Sequence, residues 1–123
     1  KAQIKLEMSI SKGNYLQKVD EELIEQVIIN ILKNAIEILE QKNDGHIKIS
    51  LQKTGRKVGI SIQDNGPGME QDTLDKIFVP FYTTKKKGTG IGLSFARQIM
   101  RLHNGSITAK SQPGGGTTFN LEL

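Results

Sequence analysis

Residues 20–41, DEELIEQVIINILKNAIEILEQ, have the pattern of one amphipathic helix, and this pattern decides the fold class. Asp20 stands at the N-cap position, and Glu21 and Glu22 occupy the first turn, where acidic side chains are favourable. Apolar residues recur at helical spacing, which predicts a stripe that faces a core. The stripe consists of Leu23, Val27, Ile31, Ala35, Ile38 and Leu39.

The opposite side of the same helix carries a polar stripe. Asn30, Asn34 and Glu37 are spaced i, i+4 and i+7, so that they share one face. Asparagine is unfavourable in the middle of a helix, because its side chain competes for backbone hydrogen bonds. Two explanations stay open for the stripe taken alone: a solvated face, or amide oxygens that suit Mg²⁺, whose other ligands would be water and phosphate.

Strands and shorter helices are predicted on both sides of this helix. Strand patterns occur at residues 4–10, 47–51, 58–62, 106–110 and 117–123, and a turn at 12–14 would fold 15–19 back as a hairpin. Helices are expected at 71–77 and 93–103, the second ended by Asn104-Gly105. The mixture predicts an α+β domain. The last helix is expected to turn one face to the core, although part of this face could meet a separate helical domain; it consists of Phe95, Ile99, Met100 and Leu102.

Composition limits the class of protein. The 123 residues, 36% hydrophobic and 24% charged, fit one domain, and the absence of cysteine excludes disulfide and thiolate-metal sites. The net charge of +4 is mild and fits an anionic ligand, nucleic acid or neither; two Tyr with no Trp offer few stacking platforms for bases, and we expect no nucleic-acid partner. No apolar run approaches the ~20 residues of a membrane span, so no direct membrane contact is expected. Because the chain begins at Lys1, we expect it to be a fragment of a longer parent.

Residues 64–68, DNGPG, follow a strand whose even-numbered positions share one face. By the two-residue period of a strand, Asp64 points to the same buried side as Ile60 and Ile62. An ionised carboxylate there needs a partner, and the amino group of adenine is a donor that suits such an acceptor. Gly66 and Gly68 would let the backbone approach the ring. An ordinary turn leaving a strand explains the pentapeptide alone equally well.

Residues 88–93, GTGIGL, open the helix that runs to His103. Backbone N–H groups and the positive end of that helix would face whatever precedes it, which predicts an anion site. The segment fits neither a Walker A loop nor the dinucleotide fingerprint, because Leu93 stands where the third glycine is required. The lysines at 85–87 could reach a triphosphate, although a solvated loop also explains that run.

Taken together, these segments resemble the ATP-binding catalytic domain of sensor histidine kinases, within the group that includes gyrase, Hsp90 and MutL. The resemblance covers essentially the whole chain. Residues 25–35 are similar to the N box, 64–68 and 88–93 to two glycine boxes, 78–85 to the F box, and 114–119 to a last glycine segment. The resemblance implies a two-layer α/β sandwich of the Bergerat type, with a mixed sheet of about five strands and three helices on one face.

The resemblance also implies roles for individual residues. Asn30, Lys33 and Asn34 would be catalytic, with Asn34 holding Mg²⁺ and the other two lining the phosphate side of the helix. Asp64 would take the adenine amino group, and Thr117 would support the base through water. Together with Asn30 and Asn34, the implied ATP contacts are Glu37, Asp64, Gly66, Gly68, Thr83, Thr84, Lys85, Gly88, Thr89, Gly90, Ile91, Gly92, Leu93 and Thr117.

The implied function is to bind Mg·ATP and donate its γ-phosphate to a histidine. That histidine would lie on a separate helical dimerisation domain of a two-component sensor kinase, with a response-regulator receiver as an indirect partner. His46 and His103 are expected to have structural or surface roles instead. A cytoplasmic location is expected, in a parent that could itself be anchored to a membrane.

Two other functions of the same fold stay open. An ATP-hydrolysing clamp would carry a Glu one helical turn before the Mg-binding Asn, but that position is Asn30, whose amide cannot accept a proton from water. A degenerate pseudokinase would serve only as an interaction module, and the intact Asn34, Asp64 and glycine loop argue against it.

Overall fold

The computed structural model describes residues 4–10, 19–82 and 92–123. The elements follow in the order β1 (Ile4–Ile10), α1 (Glu21–Leu39), β2 (Gly45–Thr54), β3 (Lys57–Asp64), α2 (Gln71–Leu74), α3 (Gly92–Leu102), β4 (Ser106–Ser111) and β5 (Thr117–Glu122). The strands form one mixed sheet of five in the order β1-β2-β3-β5-β4. β1 is parallel to β2, and the other neighbours are antiparallel. The predicted α+β fold class is confirmed.

The long helix α1 has the predicted start and a slightly earlier end. The Asp20 side chain caps it by accepting a hydrogen bond from the Leu23 backbone N–H at 3.2 Å. The helix ends at Leu39 rather than at 41, and the Lys42 N–H donates to the Leu39 carbonyl in the turn that follows. α2 is likewise shorter than the predicted 71–77.

The core lies between the helices and one face of the sheet. Val27 and Ile31 of α1 are fully buried, and Ile47 of β2, Ile62 of β3 and Leu121 of β5 are at most 2% exposed. The buried residues of α3 complete the cluster, namely Ala96, Ile99 and Met100. In the described part of the chain, no helix is long and apolar enough to cross a membrane.

The edge strand β1 is less buried than its alternating pattern predicts. Leu6, Met8 and Ile10 are 56%, 63% and 60% exposed. Their register places them beside β2 residues of the core side, with Leu6 opposite Ile47. They remain exposed because β1 is the outermost strand, where only Ile4 packs against the core. The predicted hairpin partner of β1 falls mostly within residues 11–18, outside the described residues.

The expected core face of α3 is half wrong. Ile99 and Met100 are buried, whereas Phe95 is 37% and Leu102 is 76% exposed. Successive helical residues are rotated by about 100°, which puts Phe95 and Leu102 together on one flank of the buried stripe. The predicted stop is confirmed: Asn104 has a φ of 57°, and the Gly105 N–H donates to the Met100 carbonyl at 2.8 Å.

His103, just beyond α3, joins the two main helices. Its Nδ1 lies 2.8 Å from the Ile99 carbonyl oxygen, and its Nε2 accepts a hydrogen bond from the Asp20 backbone N–H at 3.0 Å. A ring that donates through Nδ1 and accepts through Nε2 is a neutral imidazole. His103 therefore has a structural role, as expected, and it performs that role without a positive charge.

The turn between β4 and β5 provides a matched pair of glycines for a stability test. Gly114 and Gly116 have φ values of 78° and 73°. A Cβ at Gly116 would overlap the Asp64 carbonyl oxygen, whereas a Cβ at Gly114 would meet nothing within 4 Å. We expect Gly114→Ala to cost about 1–2 kcal/mol for the left-handed backbone. Gly116→Ala should cost about 1–3 kcal/mol more for the overlap, measured by urea unfolding. Equal losses would contradict this account of the turn.

Candidate functional site

The site is organised around Asp64, the last residue of β3. Asp64 pairs with Ile47 of β2 and with Thr117 of β5, and its side chain is 5% exposed. Its Oδ1 accepts hydrogen bonds from the backbone N–H groups of Gly66 at 2.9 Å and Thr117 at 3.3 Å. Both bonds end on the same oxygen, so Oδ2 accepts none from the described residues.

Burial and hydrogen bonding have opposite effects on the pKa of Asp64. Burial raises the pKa of Asp64 above its ordinary value, and the two backbone hydrogen bonds lower it only in part. Oδ2 can accept a further hydrogen bond from water or from a ligand N–H group that reaches it. Recognition of an adenine amino group by this carboxylate stays a prediction.

The two glycines of the loop after β3, Gly66 and Gly68, pack closely against other parts of the chain. A Cβ at Gly66 would lie 2.6 Å from Ile38 Cγ2 and 3.0 Å from Asp64 Oδ1. A Cβ at Gly68, where φ is 73°, would overlap the Gln112 carbonyl oxygen of the β4–β5 turn. Close packing of backbone against neighbouring segments therefore requires both glycines. Their implied role as the floor of a base-binding site stays a prediction.

Two polar residues that the sequence analysis missed hold this loop. The Asn65 side chain accepts from the His46 N–H at 2.7 Å and donates to the Asp44 carbonyl at 2.9 Å, which clamps the end of β3 to the start of β2. The Ser111 hydroxyl accepts from the Met69 N–H at 2.8 Å. The pairing of the last two strands could have revealed Ser111, because it lies directly opposite Thr117.

The polar stripe of α1 runs along the same side of the molecule. Near its middle, Asn30 Nδ2 donates to the Gly92 carbonyl at 3.4 Å, and Asn30 Oδ1 accepts from Gln26 Nε2 at 3.2 Å. Eight residues further along, Ile38 meets the loop at Gly66. At 1.5 Å per residue, these two contacts are roughly 12 Å apart along the helix axis. Ile38 belongs to the predicted apolar core stripe but is 39% exposed, so it is α1 as a whole, rather than its polar stripe, that contacts both the loop after Asp64 and the start of α3.

Some of the remaining predicted site residues lie on α1 and α3, and the others lie outside the described residues. Asn34 is half-buried and lies on α1 between Asn30 and Ile38, the two residues whose contacts define the edge of α1 that faces the site. Lys33 and Glu37 are exposed. Gly92 and Leu93 begin α3, with Leu93 packed against the core. The predicted contacts outside the described residues are Thr83, Thr84, Lys85, Gly88, Thr89, Gly90 and Ile91.

The described part of the F box packs on the sheet beside the site. The Phe78 ring meets the Phe119 ring edge to face, with centroids 6.4 Å apart, and the Arg97 guanidinium lies 5.6 Å from the Phe78 centroid. Phe81 instead is 74% exposed and has a φ of 69°, a backbone conformation that is unusual for a bulky residue.

Comparison with known proteins agrees with this geometry. Residues 19–123 match the family described as histidine kinase-, DNA gyrase B-, and HSP90-like ATPase. Sporulation kinase C of Bacillus subtilis is 42% identical over 104 residues, which are 85% of this chain and 24% of that protein. Sensor histidine kinase ZraS of Escherichia coli is 41% identical over 106 residues, 86% of this chain and 22% of that protein.

A solved structure extends the similarity to the fold. The catalytic domain of histidine kinase ThkA, in a nucleotide-free form, has a TM-score of 0.85 and 35% identity, over 98% of this chain and 78% of that one. The chain belongs to the histidine kinase-, DNA gyrase B- and HSP90-like ATPase family. Within the family it is an ATP-binding catalytic domain of the histidine kinase type. It spans less than a quarter of the length of the two curated relatives named above.

The burial of Asp64 predicts a pH-dependent stability. An acid whose pKa is raised on folding binds its proton more tightly in the folded chain, so the wild type loses stability as pH rises through that pKa. Asp64→Asn keeps the Oδ1 acceptor without the charge. We expect this variant to be the more stable protein at pH 7, with a gap that closes as pH falls to the ordinary value of 3.8.

Urea unfolding of both proteins between pH 7 and pH 4 measures that gap. Asp72→Asn, which removes an exposed carboxylate in α2, is the control for the loss of one negative charge. A constant difference between wild type and Asp64→Asn across the pH range would contradict the burial argument.

Proposed function

We propose that this domain binds Mg·ATP and presents the γ-phosphate to a histidine on a separate helical dimerisation domain of its parent sensor kinase. The observation that carries the proposal is the buried Asp64 carboxylate, whose Oδ1 is held by two backbone N–H groups while Oδ2 has no donor among the described residues. The adenine amino group supplies the missing donor.

The base and the phosphates occupy opposite ends of the α1 edge in this proposal. Asp64 and Thr117, buried side by side at the ends of β3 and β5, receive the base. The phosphates lie toward Gly92, where α3 begins beside Asn30. The first backbone N–H groups of a helix and its positive dipole end favour anions, which supports this orientation.

The residues of the chain fit a magnesium ion whose ligands come partly from the protein and partly from the phosphates of the nucleotide. In the described ranges, no group of three or more His, Cys, Asp or Glu side chains could hold a metal by itself. Mg²⁺ usually keeps several waters and binds through few protein oxygens plus substrate phosphates. The half-buried amide of Asn34, between the two ends of the edge, provides one such oxygen. When bound, the ion would neutralise phosphate charge.

Phosphoryl transfer needs positioning and charge neutralisation more than covalent help from the protein. In the proposed reaction the acceptor imidazole nitrogen bonds to the γ-phosphorus, the bond from that phosphorus to the ADP oxygen breaks, and the ring loses a proton. The α1 side chain that contacts the start of α3 is Asn30, an amide hydrogen-bonded to Gln26 and Gly92, so it offers no base to activate water. This favours transfer over the hydrolysis that a clamp ATPase performs.

The partners and the location follow from the proposed reaction. Its direct partner is the helical domain that carries the acceptor histidine, and a response-regulator receiver takes the phosphate afterwards. We place the domain in the cytoplasm, in a parent protein longer than this chain.

If Asn34 binds Mg²⁺, its loss should affect phosphoryl transfer more than the binding of ADP. Asn34→Ala should abolish phosphoryl transfer, because the ion loses its protein oxygen, while a residual affinity for ADP becomes insensitive to Mg²⁺. Calorimetric titration of ADP with and without Mg²⁺, together with a transfer assay, measures both effects. Glu25→Ala, an exposed position of α1 outside the stripe, is the control and should retain transfer. Unchanged transfer in Asn34→Ala would refute the assignment.

The reaction itself is tested with γ-labelled ATP. The chain alone should bind ATP, hydrolyse it far more slowly than about one turnover per second, and acquire no stable label. Adding the histidine-bearing domain of the parent should place label on that domain, provided the two dock with the γ-phosphate in line with the imidazole nitrogen. Robust label on the chain alone, or fast turnover without a partner, would favour the clamp ATPase.

A further inference from the structure

Ser111, at the end of β4, is the centre of a hydrogen-bond cluster that joins three segments. Its Oγ lies 2.8 Å from the Met69 backbone nitrogen, 2.9 Å from the Gly116 carbonyl oxygen and 2.9 Å from Thr117 Oγ1. A serine hydroxyl has one proton to donate and two lone pairs that accept. Three neighbours therefore use its full capacity.

The direction of every proton in this cluster follows from the chemistry of its members. The Gly116 carbonyl has no proton, so the short oxygen–oxygen contact requires the proton of Ser111. The Met69 N–H fills one lone pair of Ser111. The remaining lone pair faces Thr117 Oγ1, so the proton in that contact comes from Thr117. The chain of donation runs from Thr117 to Ser111 to Gly116.

We propose that Ser111 is a positioning residue that sets the purine preference of the site by fixing the Thr117 hydroxyl as an acceptor. The inference rests on the proposed function, in which the base lies at Asp64 and Thr117, and it adds that Thr117 faces position 6 of the base directly rather than through the water that the resemblance implies. These two residues are directly opposite each other on β3 and β5, so their side chains share one face of the sheet, and they are 5% and 4% exposed.

With the Thr117 proton turned toward Ser111, this pair offers only lone pairs to a ligand. An amino group at position 6 of a purine is a donor and matches it, whereas a carbonyl at that position is an acceptor and is repelled. If Ser111 lost its hydroxyl, Thr117 could rotate and offer its proton instead. Discrimination against the carbonyl would then rest on Asp64 alone.

The test compares ADP with inosine diphosphate, which carries a carbonyl in place of the 6-amino group. Both are titrated calorimetrically into wild type, Ser111→Ala and Ser111→Thr. Ser111→Ala should lower the preference for ADP about three- to tenfold, and Ser111→Thr, which keeps one proton and two lone pairs, should retain it. Ser61→Ala is the matched control, since it removes a hydroxyl from the opposite face of the sheet, and should leave the preference unchanged.

The ratio of the two affinities separates this role from a merely structural one. A Ser111 that only supports the turn would weaken both nucleotides equally, and that outcome overturns the inference. If Ser111→Ala does not fold, Ser111→Cys takes its place, because a thiol is a weak donor and a weak acceptor and so holds the Thr117 proton less firmly. It should also lower the preference, and an unchanged ratio there overturns the inference.

Asp64→Asn distinguishes failure of this inference from failure of the proposed function. Loss of ADP preference in Asp64→Asn together with an unchanged ratio in Ser111→Ala would overturn the role of Ser111 alone. Failure of the wild type to bind ADP would overturn the proposed function, and with it this inference.

Discussion

The carboxylate of Asp64 can stay buried because backbone N–H groups from two separate segments converge on one of its oxygens. One comes from the loop directly after β3, and the other comes from Thr117, more than fifty residues later. This convergence requires β5 to pair beside β3, and it requires Gly116, where the turn passes against the Asp64 carbonyl. The burial of this one ionisable side chain therefore depends on a local turn, on a long-range strand pairing and on a glycine.

Residue patterns predicted most of this architecture, because helix periods, caps and strand alternation are local properties. The limits of α1, β3 and β5 lie within two residues of the predicted ones. Burial was predicted less well where it depends on neighbours. The alternation of β1 predicts a half-buried strand, but a strand at the edge of the sheet lies beyond the helices, and Met8 is 63% exposed. Leu102 has helical spacing yet lies on the flank of its helix.

The candidate site shows the same division. The residues assigned from motifs, Asp64, Thr117 and Asn30, lie along one edge of α1 and the sheet. Ser111 and Asn65 escaped notice because their importance comes from contacts with distant backbone groups, at Met69 for the first and at Asp44 for the second. A serine or asparagine in a turn is ordinary in sequence, and only strand register reveals what it faces.

The attachments of α3 to α1 differ at its two ends. Beyond its C-terminal end, the His103 ring uses both nitrogens to join Ile99 to Asp20, with distances of 2.8 and 3.0 Å. At its start, Asn30 Nδ2 donates to the Gly92 carbonyl at 3.4 Å, and Leu93 packs against the core. The far end also includes the buried Met100, so it is anchored by packing as well. The hydrogen bonds that join α3 to α1 are therefore shorter at the His103 end than at the start of the helix, while both ends contribute side chains to the core.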